Sequence, residues 1–524
     1  MSENLFTLFT ARFPQDRSRV FLERPDGSVL TYADLLDRSG RLANTLLALG
    51  VKPGDRVAAQ VEKTPEALLL YLATLRVGAV YLPLNTAYTA AELRYFLGDA
   101  EPTVFVCSPN RLDEMRSLSS DLGLAHVETL GADGHGTLTD KAAKASADFV
   151  DVTRTGDDLA AILYTSGTTG RSKGAMLSHR NLASNALTLR ETWRFTPEDR
   201  LLHALPIFHT HGLFVAINIT LMTGSSLIFL PAFNADEIMR LLPKATVMMG
   251  VPTFYVRLLG RPDFDRASVR HMRLFVSGSA PLSAETHKEF SSRTGHAILE
   301  RYGMTETNMN TSNPYDGERI PGSVGFPLPG VEIRIADPQT GKALPQGEIG
   351  VIDIRGPNVF KGYWRMPDKT KEEFRPDGFF ISGDLGYIDQ NGYVYISGRA
   401  KDLVISGGYN VYPAEVESAI EAIPGAAERA VIGVPHADFG EAVVAVVAPK
   451  PGSQLDEKQI QSAIASDLAK YKQPKRVFVT TDIPRNAMGK IQKKDLREKY
   501  NATFRTSCES ARWSDPIGSM MSVA

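Results

Sequence analysis

The sequence predicts an α/β protein with a large N-terminal body and a small α+β domain after it. Its 524 residues exceed what one hydrophobic core usually serves, and 43% are hydrophobic, so at least two folded domains are expected. Short apolar strands alternate with longer helical patterns over most of the chain. The pattern changes after the polar stretch GRAKD at 398–402, which predicts a hinge. We therefore expect domains at 1–400 and 401–500, followed by a loosely ordered tail at 501–524.

The first elements follow from turn residues and helix caps. A PDG turn at 25–27 precedes a short strand, and Thr31 and Gly50 are placed to cap the two ends of the next helix. Residues 51–84 then predict a strand, a helix and a second strand. Thr64 is placed to cap the start of this helix, and Pro65 follows at its first position. This βαβ pattern recurs in PTVFVCS, AILYTS, SLIFLPAF with DEIMRLLPK, and TVMMGVP. A body of layered α/β sheets is the expected result.

Beyond Gly325 the strand pattern changes. Apolar and polar residues alternate with a period of two in VEIRIADP, GEIGVIDIRG and YVYISGR, which predicts an antiparallel, β-barrel-like segment. After the hinge stretch, residues 403–450 predict a strand, a capped helix and two strands. A further helix in SAIASDLAKYK (462–472) and a strand in RVFVT (476–480) complete the small α+β domain.

Composition excludes several classes of function. With 58 basic and 60 acidic residues the net charge is −2, which argues against broad capture of nucleic acid or of an anionic membrane. The start, MSENLFTLFTARFPQ, lacks the layout of a signal peptide, and no stretch approaches the roughly 20 apolar residues of a membrane span. A cytoplasmic protein is expected. Cys107 and Cys508 are too few for a disulfide framework, and Cys107 is predicted to be a core thiol at a strand end.

The most informative stretch is the loop TSGTTGRSKG at 165–174. Its three Gly allow N–H groups to turn toward an anion, while five hydroxyls and Lys173 add donors and charge, a composition suited to phosphate. It is not a Walker A loop, because Ser172 stands directly before the lysine. A flexible Gly/Ser linker is the alternative. Context disfavours it, since residues 160–164 resemble a buried strand and residues 175–177 lead toward a helical pattern.

Six further motifs follow this loop in a fixed order. They are PIFHTHG (206–212), SGSAPL (277–282), YGMTET (302–307), SGD (382–384), GRAKDLVISGGYNVYP (398–413) and PRNAMGK (484–490). Together with the loop, this order resembles the adenylate-forming family of acyl-CoA synthetases, stand-alone adenylation domains and firefly luciferase, over roughly residues 10–500. Within the family, RSKG, FHTHGL and ERYGMTETNMN are most similar to members that activate malonate. Most relatives carry Pro where this chain has Ser172, a departure that leaves the Gly and Lys positions untouched.

The resemblance implies an AMP-forming acid–thiol ligase. In this chemistry a carboxylate attacks the α-phosphate of ATP and expels pyrophosphate, and the thiol of coenzyme A then attacks the acyl-adenylate. Two polyanions and a carboxylate must meet, so Mg²⁺, cationic side chains and backbone donors are needed where charge develops.

The resemblance also implies roles for individual residues of the nucleotide site. Tyr302 would stack on adenine, Asp384 and Arg399 would bind the ribose, and Glu306 with Thr165 would bind Mg²⁺. The implied ATP-binding residues are Thr165, Ser166, Gly167, Thr168, Thr169, Gly170, Lys173, Gly278, Ser279, Ala280, Tyr302, Gly303, Met304, Thr305, Asp384 and Arg399. Other interpretations remain open: Tyr302 as a core residue, Glu306 as a solvated acid, and Asp384 or Arg399 as half of an interdomain ion pair.

The C-terminal motifs imply a catalytic lysine on a mobile domain. Lys490 would bridge the reacting carboxylate and the α-phosphate, with a solvated surface charge as the alternative. Lys401 matches the hinge about which the domain swings between half-reactions. Gly407, Gly408 and Tyr409 would line the pantetheine channel of coenzyme A, unless they form an ordinary β-turn. His209 would act as the gate between the acyl and coenzyme A paths. Lys490 is also a predicted target of a lysine acetyltransferase.

The predicted acid is malonate, and methylmalonate is a further expected substrate. Arg301 stands where fatty-acid and aryl relatives usually place an uncharged residue, and a buried second carboxylate needs a paired cation. With Arg257, Ser279 and His209 it would form the acyl-binding set. The alternatives are a surface pair of Arg301 with Glu300 and a helix-surface charge for Arg257.

Three rival functions remain open at this point. The first is a coenzyme A ligase for another small or aryl carboxylic acid, and the second is an adenylation domain that loads a carrier protein. The third is a non-catalytic nucleotide-binding protein, which would not need Lys490, Glu306 and a hinge together.

Overall fold

The structure, a computed structural model, describes residues 2–165, 172–406, 409–436, 438–465, 467–486 and 489–504. Several residues of the sequence predictions lie outside these ranges: Ser166, Gly167, Thr168, Thr169, Gly170, Gly407, Gly408 and the tail from 505 onward. The chain forms two compact units. The first comprises residues 1–382 and 386–396, and the second comprises residues 383–385 together with everything from 397.

The helices of the described ranges are α1 Leu5–Thr10, α2 Tyr32–Ala48, α3 Pro65–Arg76, α4 Ala90–Ala100, α5 Leu112–Asp121, α6 Thr137–Ala142, α7 His179–Thr192, α8 Asn218–Thr223, α9 Ala235–Leu241, α10 Pro252–Leu259, α11 Ala284–Thr294, α12 Pro367–Glu372, α13 Pro413–Glu421, α14 Glu457–Ile464 and α15 Lys493–Tyr500. A wide π-helical turn, His211–Ile217, leads into α8. Short 3₁₀ turns lie at Pro109–Arg111, Leu242–Lys244 and Ala400–Asp402.

The strands are β1 Val20–Glu23, β2 Val29–Thr31, β3 Arg56–Gln60, β4 Val80–Pro83, β5 Val104–Cys107, β6 His126–Thr129, β7 Leu159–Thr165, β8 Lys173–Ser178, β9 Arg200–His203, β10 Ser226–Phe229, β11 Val247–Gly250, β12 Leu274–Ser277, β13 Leu299–Met304, β14 Asn308–Ser312, β15 Ser323–Pro327, β16 Glu332–Ala336, β17 Gly350–Arg355, β18 Phe380–Ile388, β19 Val394–Arg399, β20 Val404–Ser406, β21 Tyr409–Val411, β22 Ala426–His436, β23 Gly440–Pro449 and β24 Arg476–Val479.

Two large sheets organise the first unit. One has the order β6-β5-β3-β4-β7-β8, and the other runs β16-β17-β18-β19-β15-β14-β13-β12-β11-β9-β10-β1-β2. Neighbours β11, β12 and β13 are parallel, as βαβ connections require. The strands predicted as a barrel-like segment are antiparallel where β16 meets β17, and they continue the second sheet through β15 and β14. The predicted α/β class with a large sheet body is confirmed.

The predicted caps explain where the first helices begin. The Thr31 hydroxyl accepts from the Asp34 N–H, and the Asp34 carboxylate accepts from the Thr31 N–H in return. Helix α2 therefore begins directly after Thr31. The Thr64 hydroxyl caps α3 by accepting from the Ala67 N–H, without a reciprocal bond, and Pro65 is at the first helical position. At the end of α2 the capping residue is Leu49, one position earlier than the predicted Gly50, and Gly50 follows it with φ +82°.

The sequence patterns did not predict a strand beside the phosphate loop, although the helical pattern that follows it is where α7 lies. Residues 175–177 belong to β8, which is antiparallel to β7, and the helix begins only at His179 with Ser178 as its cap. The loop therefore joins two antiparallel strands rather than a strand and a helix. Both faces of β8 are covered, since Ala175 and Leu177 lie in one apolar cluster and Met176 packs on another.

The second unit is built on a sheet of order β21-β20-β23-β22, with β24 parallel to β23. Its two faces carry separate apolar clusters, because successive residues such as Val431 and Ile432 point to opposite sides. Helix α14 begins at Glu457, capped by Asp456, and ends at Ile464, so it lies earlier than the predicted 462–472. Helix α15 was not predicted; its buried Leu496 covers the second face.

Two further observations bear on the sequence predictions. Cys107 is buried at the end of β5, as predicted. Among the helices described above, none combines the length and the apolar character that crossing a membrane requires.

Candidate active site

The ends of the Gly-rich loop are held by the β7–β8 hairpin. Thr165 is directly opposite Lys173 in the strand register. The Lys173 ammonium lies 3.1 Å from the Glu373 carboxylate and 4.0 Å from the centre of the Tyr363 ring. Lys173 is thus a buried cation at the root of the loop, on the same hairpin as the predicted metal-binding hydroxyl of Thr165.

Glu306 lies in the turn between β13 and β14, close to the loop. The Tyr363 hydroxyl donates to Glu306 Oε1 at 3.1 Å, and the Thr165 hydroxyl lies 3.4 Å from the same oxygen. Glu306 is only 7% exposed, so it is not the solvated acid of the alternative interpretation. A buried carboxylate facing a hydroxyl offers the hard oxygen ligands that Mg²⁺ prefers. The structure therefore brings together the two residues predicted for the metal, and their donor atoms fit that ion.

Three asparagines, Asn181, Asn185 and Asn358, form a hydrogen-bond network that supports the Glu306 turn. Asn358 Nδ2 donates to Thr307 O at 2.6 Å and to Met309 O at 3.2 Å. From α7, Asn185 donates to Met309 O at 2.9 Å and accepts from the Met309 N–H at 3.2 Å. Asn181, one turn earlier on the same helix face, donates to two backbone carbonyls around Asn358. Sequence reasoning missed this network, although the spacing of four between Asn181 and Asn185 was visible.

The predicted adenine-binding residues lie at the carboxyl ends of neighbouring parallel strands. Gly278 directly follows β12, and Tyr302 lies on β13 with 8% exposure. A Cβ at position 278 would overlap the Arg301 guanidinium, so a larger residue there would displace the Arg301 side chain. Ligands in α/β sheets commonly bind at such strand ends. Ala280, Gly303, Met304 and Thr305 occupy the adjoining loop, strand and turn.

Arg301 is a buried cation with incomplete hydrogen bonding. It is 3% exposed, and its Nε and Nη2 atoms have no partner in the described part of the chain. Its neighbour Glu300 points to the other face of β13, where it accepts from the Leu282 N–H at 3.1 Å. Arg301 and Glu300 therefore do not form the surface pair of the alternative interpretation. Burial lowers the pKa of Arg301 to about 9.

Two polar groups face each other beside Arg301. The Ser279 hydroxyl lies 3.2 Å from Nδ1 of the buried His211, and Ser279 has φ +71°, an uncommon conformation for a residue other than glycine. Burial, followed by the charge of Arg301, holds the pKa of His211 well below its usual value, so this histidine is neutral. The backbone N–H of His211 donates to Nδ1 of His209, the predicted gate, at 3.3 Å. The contact between Ser279 and His211 was not predicted.

Arg257 is placed away from this group. It lies on the exposed side of α10, with its guanidinium 5.6 Å from the centre of the Phe233 ring. The structure therefore does not bring Arg257 to Arg301, and Arg257 matches the alternative of a helix-surface charge.

In the second unit, Asp384 and Arg399 form an ion pair of 2.6 Å. Lys490 follows a turn in which its N–H donates to Asn486 Oδ1 at 3.0 Å, with Gly489 at φ +73°. Loss of hydration, and then the charge of Arg399, lowers the pKa of Lys490. The predicted ribose pair and the predicted catalytic lysine therefore share one electrostatic environment.

The remaining predicted residues of the second unit lie on its surface. Lys401 belongs to the 3₁₀ turn Ala400–Asp402, where Asp402 pairs with Arg497. Tyr409 is 60% exposed, and its ring lies 4.8 Å from that of Tyr471.

Known proteins resemble this chain over nearly its whole length. The AMP-binding enzyme family matches residues 7–364, and the C-terminal domain of AMP-binding enzymes matches residues 415–490. A feruloyl-CoA synthase of Amycolatopsis sp is 37% identical over 486 residues, which are 91% of this chain and 95% of that protein. The mitochondrial malonate–CoA ligase of Mus musculus is 37% identical over 506 residues, 89% of this chain and 86% of that protein.

A solved structure is more similar still. The crystal structure of ATP-bound MatB from Rhodopseudomonas palustris is 61% identical, with a TM-score of 0.94, and the match covers 96% of this chain and 100% of that one.

Proposed function

The chain belongs to the AMP-binding enzyme family, and we propose that it is an ATP-dependent ligase that joins malonate to coenzyme A through a malonyl-adenylate. The products are malonyl-CoA, AMP and pyrophosphate. The relative from Mus musculus is named a malonate–CoA ligase, and the much closer MatB structure contains ATP. Similarity over nearly the whole chain supports the same class of reaction here.

The observation that carries the malonate assignment is the buried, incompletely paired guanidinium of Arg301. Burying a charge with unpaired N–H donors costs free energy unless an anion accepts hydrogen bonds from those donors. One malonate carboxylate reacts with ATP, and Arg301 binds the other through a charge-assisted hydrogen bond. The Ser279 hydroxyl and neutral His211 lie beside it as further polar partners. Methylmalonate carries the same second carboxylate and is a further expected substrate.

The reaction needs two displacements. A carboxylate oxygen of malonate attacks the α-phosphorus and the bond to pyrophosphate breaks; the coenzyme A thiolate then attacks the malonyl carbonyl carbon, and AMP leaves. Lys173 faces the phosphates from the loop, and Tyr302 with Gly278 holds the adenine. Glu306 and Thr165 hold Mg²⁺, which when bound neutralises charge on the phosphate oxygens.

The proposal also assigns roles in the second unit. Asp384 and Arg399 bind the ribose hydroxyls, and Lys490 stabilises the charge that develops during adenylation. Lys401 is the hinge residue, and the segment from Gly407 to Tyr409 contacts coenzyme A. These roles rest on motif positions. A cytoplasmic location and acetylation of Lys490 by a lysine acetyltransferase stay predictions from the sequence.

An aryl-acid ligase is the rival, because the feruloyl-CoA synthase is as similar in sequence as the mouse enzyme. A planar apolar acid would leave the Arg301 donors unpaired, a mismatch that strongly penalises binding in a buried site. The geometry at Arg301 therefore favours malonate.

The test is to identify the product of a competition. The purified protein is incubated with ATP, Mg²⁺, coenzyme A and equal concentrations of malonate, propionate and ferulate, and the thioesters are identified by mass spectrometry. We expect malonyl-CoA in large excess, with AMP formed in equal amount. Propionyl-CoA or feruloyl-CoA as the main product would contradict the acid assignment. Acyl-adenylate without free thioester would indicate an adenylation domain that loads a carrier.

A further inference from the structure

Helix α4 lies beside both ends of the phosphate loop, although none of the sequence motifs includes it. Tyr95 and Asp99 are four residues apart on this helix and therefore lie on the same face. The Tyr95 hydroxyl donates a 2.7 Å hydrogen bond to the backbone carbonyl of Ser172, the residue directly before Lys173. One end of the loop is thus attached to α4.

The other end of the loop is attached through Tyr164, the residue directly before Thr165. Its hydroxyl donates a hydrogen bond to the Asp99 carboxylate. Burial, followed by this bond, raises the pKa of Tyr164, so the phenol stays a donor at neutral pH. Tyr164 and Gly174 are paired across the hairpin, and the Trp364 indole N–H donates to the Asp99 carbonyl at 3.1 Å.

The helix that supplies these anchors is well fixed. A capping box between Thr89 and Glu92 fixes its start. The ring of Tyr164 packs against Phe96 at 4.7 Å and, edge-on, against Tyr95 at 6.1 Å. The two loop ends are therefore held to a rigid support at two points one helical turn apart.

We propose that Tyr95 and Asp99 are positioning residues that hold both ends of the phosphate loop, so that Thr165 and Lys173 face the ATP phosphates. This inference rests on the proposed function, because it assigns the loop to ATP. Ordering a loop around a ligand costs conformational entropy, and ends that are already fixed reduce that cost. Removing one anchor should therefore weaken interactions with ATP and pyrophosphate specifically.

The test compares Tyr95→Phe with the wild type in ATP–pyrophosphate exchange on the full chain. We expect KM for ATP to rise about three- to tenfold, the effect of one lost hydrogen bond, while KM for malonate is unchanged. Asp99→Asn, which replaces the acceptor of Tyr164, should act in the same direction and provides a second variant if the first folds poorly.

Tyr88→Phe is the matched control. Tyr88 packs on Phe96 at 4.8 Å in the same apolar cluster, and its hydroxyl has no hydrogen-bond partner within the described ranges. It should keep the wild-type KM for ATP, and urea unfolding of all variants checks that the fold is equally stable.

The outcomes separate the inference from the proposed function. A wild type without exchange for any carboxylic acid would overturn the proposed function and, with it, this inference. An active wild type with unchanged KM for ATP in both Tyr95→Phe and Asp99→Asn would overturn the inference alone. The inference would also fail if both KM values rose together, since that is the effect of a merely structural role.

Discussion

The adjacent residues Glu300 and Arg301 show how one strand places two buried ionisable side chains in different surroundings. Arg301 lies against Gly278, while Glu300 lies on the opposite face of β13 with one backbone N–H bonded to it. Burial raises the pKa of Glu300 to about 8 from its usual 4.5. Between these two pKa values the Glu300 carboxyl is therefore protonated in the folded protein and ionised in the unfolded chain.

The protonation of Glu300 makes the stability of the fold depend on pH. Between the two pKa values the folded state binds more protons than the unfolded state, so the free energy of unfolding falls as pH rises. The slope from this one group is at most about 1.4 kcal/mol per pH unit. Glu300→Gln should reduce this slope of the unfolding free energy against pH, measured by urea unfolding from about pH 5 to about pH 8. Exposed Glu289→Gln is the control, and an unchanged slope in Glu300→Gln would contradict the account.

The sequence carries a signal for Arg301 and also a signal against Arg257 as an acyl-binding residue. Arg301 stands out as a charged residue directly before the predicted adenine-stacking Tyr302. Arg257 lies on a helix whose buried side is formed by Tyr255, Leu258 and Leu259. That helical spacing points Arg257 outward, so periodicity could have corrected the prediction. The left-handed Ser279 had no signal, because its conformation depends on the surrounding packing.

The hairpin β13–β14 holds Glu306 in place because asparagine side chains bind the backbone of its turn. Asn358 donates to the carbonyls of Thr307 and Met309, and α7 reaches the same strand through Asn185. The Phe360 N–H also donates to the Glu306 carbonyl at 2.7 Å. The position of the predicted metal ligand therefore depends on buried amide groups rather than on the turn alone.

Asn358→Ala should destabilise the protein by about 2 kcal/mol, because buried carbonyls lose their donor. It should also raise the Mg²⁺ concentration needed for half-maximal exchange, since the Glu306 turn loses its support. Exposed Asn391→Ala in a surface turn is the control and should change neither quantity. A stability loss with an unaltered Mg²⁺ requirement would show that the network does not position Glu306.

Local patterns predicted many of the elements but missed others, such as the helix α4 and the strand β8. After Lys173, the residues of β8, GAMLS, are small or apolar and carry no strict alternation, since both faces are covered. Such a run does not distinguish a strand from the approach to a helix. The capping residues Thr31 and Thr64 were predictable because their signal is local.

Across the whole chain, the order of motifs predicted the family, and the alternation of strand and helix patterns predicted the α/β body. It did not predict which distant residues support each motif. Tyr95 and Ser172 are 77 positions apart, and Asn358 and Thr307 are 51 apart, so no periodicity connects them. Tertiary contacts of this kind are set by strand order and packing, which a single sequence encodes only indirectly.

Substrate choice is the property on which the whole account depends. If Arg301 binds the second carboxylate of malonate, its loss should remove the preference for a diacid while leaving chemistry with ATP possible. The matched variant is Arg257→Met, at the arginine that the structure places on the exposed side of α10. Both changes remove one guanidinium and insert the same side chain.

The most direct measurement is the ratio of kcat/KM for malonate to that for propionate, in ATP–pyrophosphate exchange, for the wild type and the two variants. We predict that Arg301→Met lowers this ratio at least about a hundredfold, as expected for losing a buried charge-assisted pair. Arg257→Met should keep the wild-type ratio. A wild type that prefers propionate, or an Arg301→Met variant that keeps the malonate preference, would contradict the role assigned to Arg301.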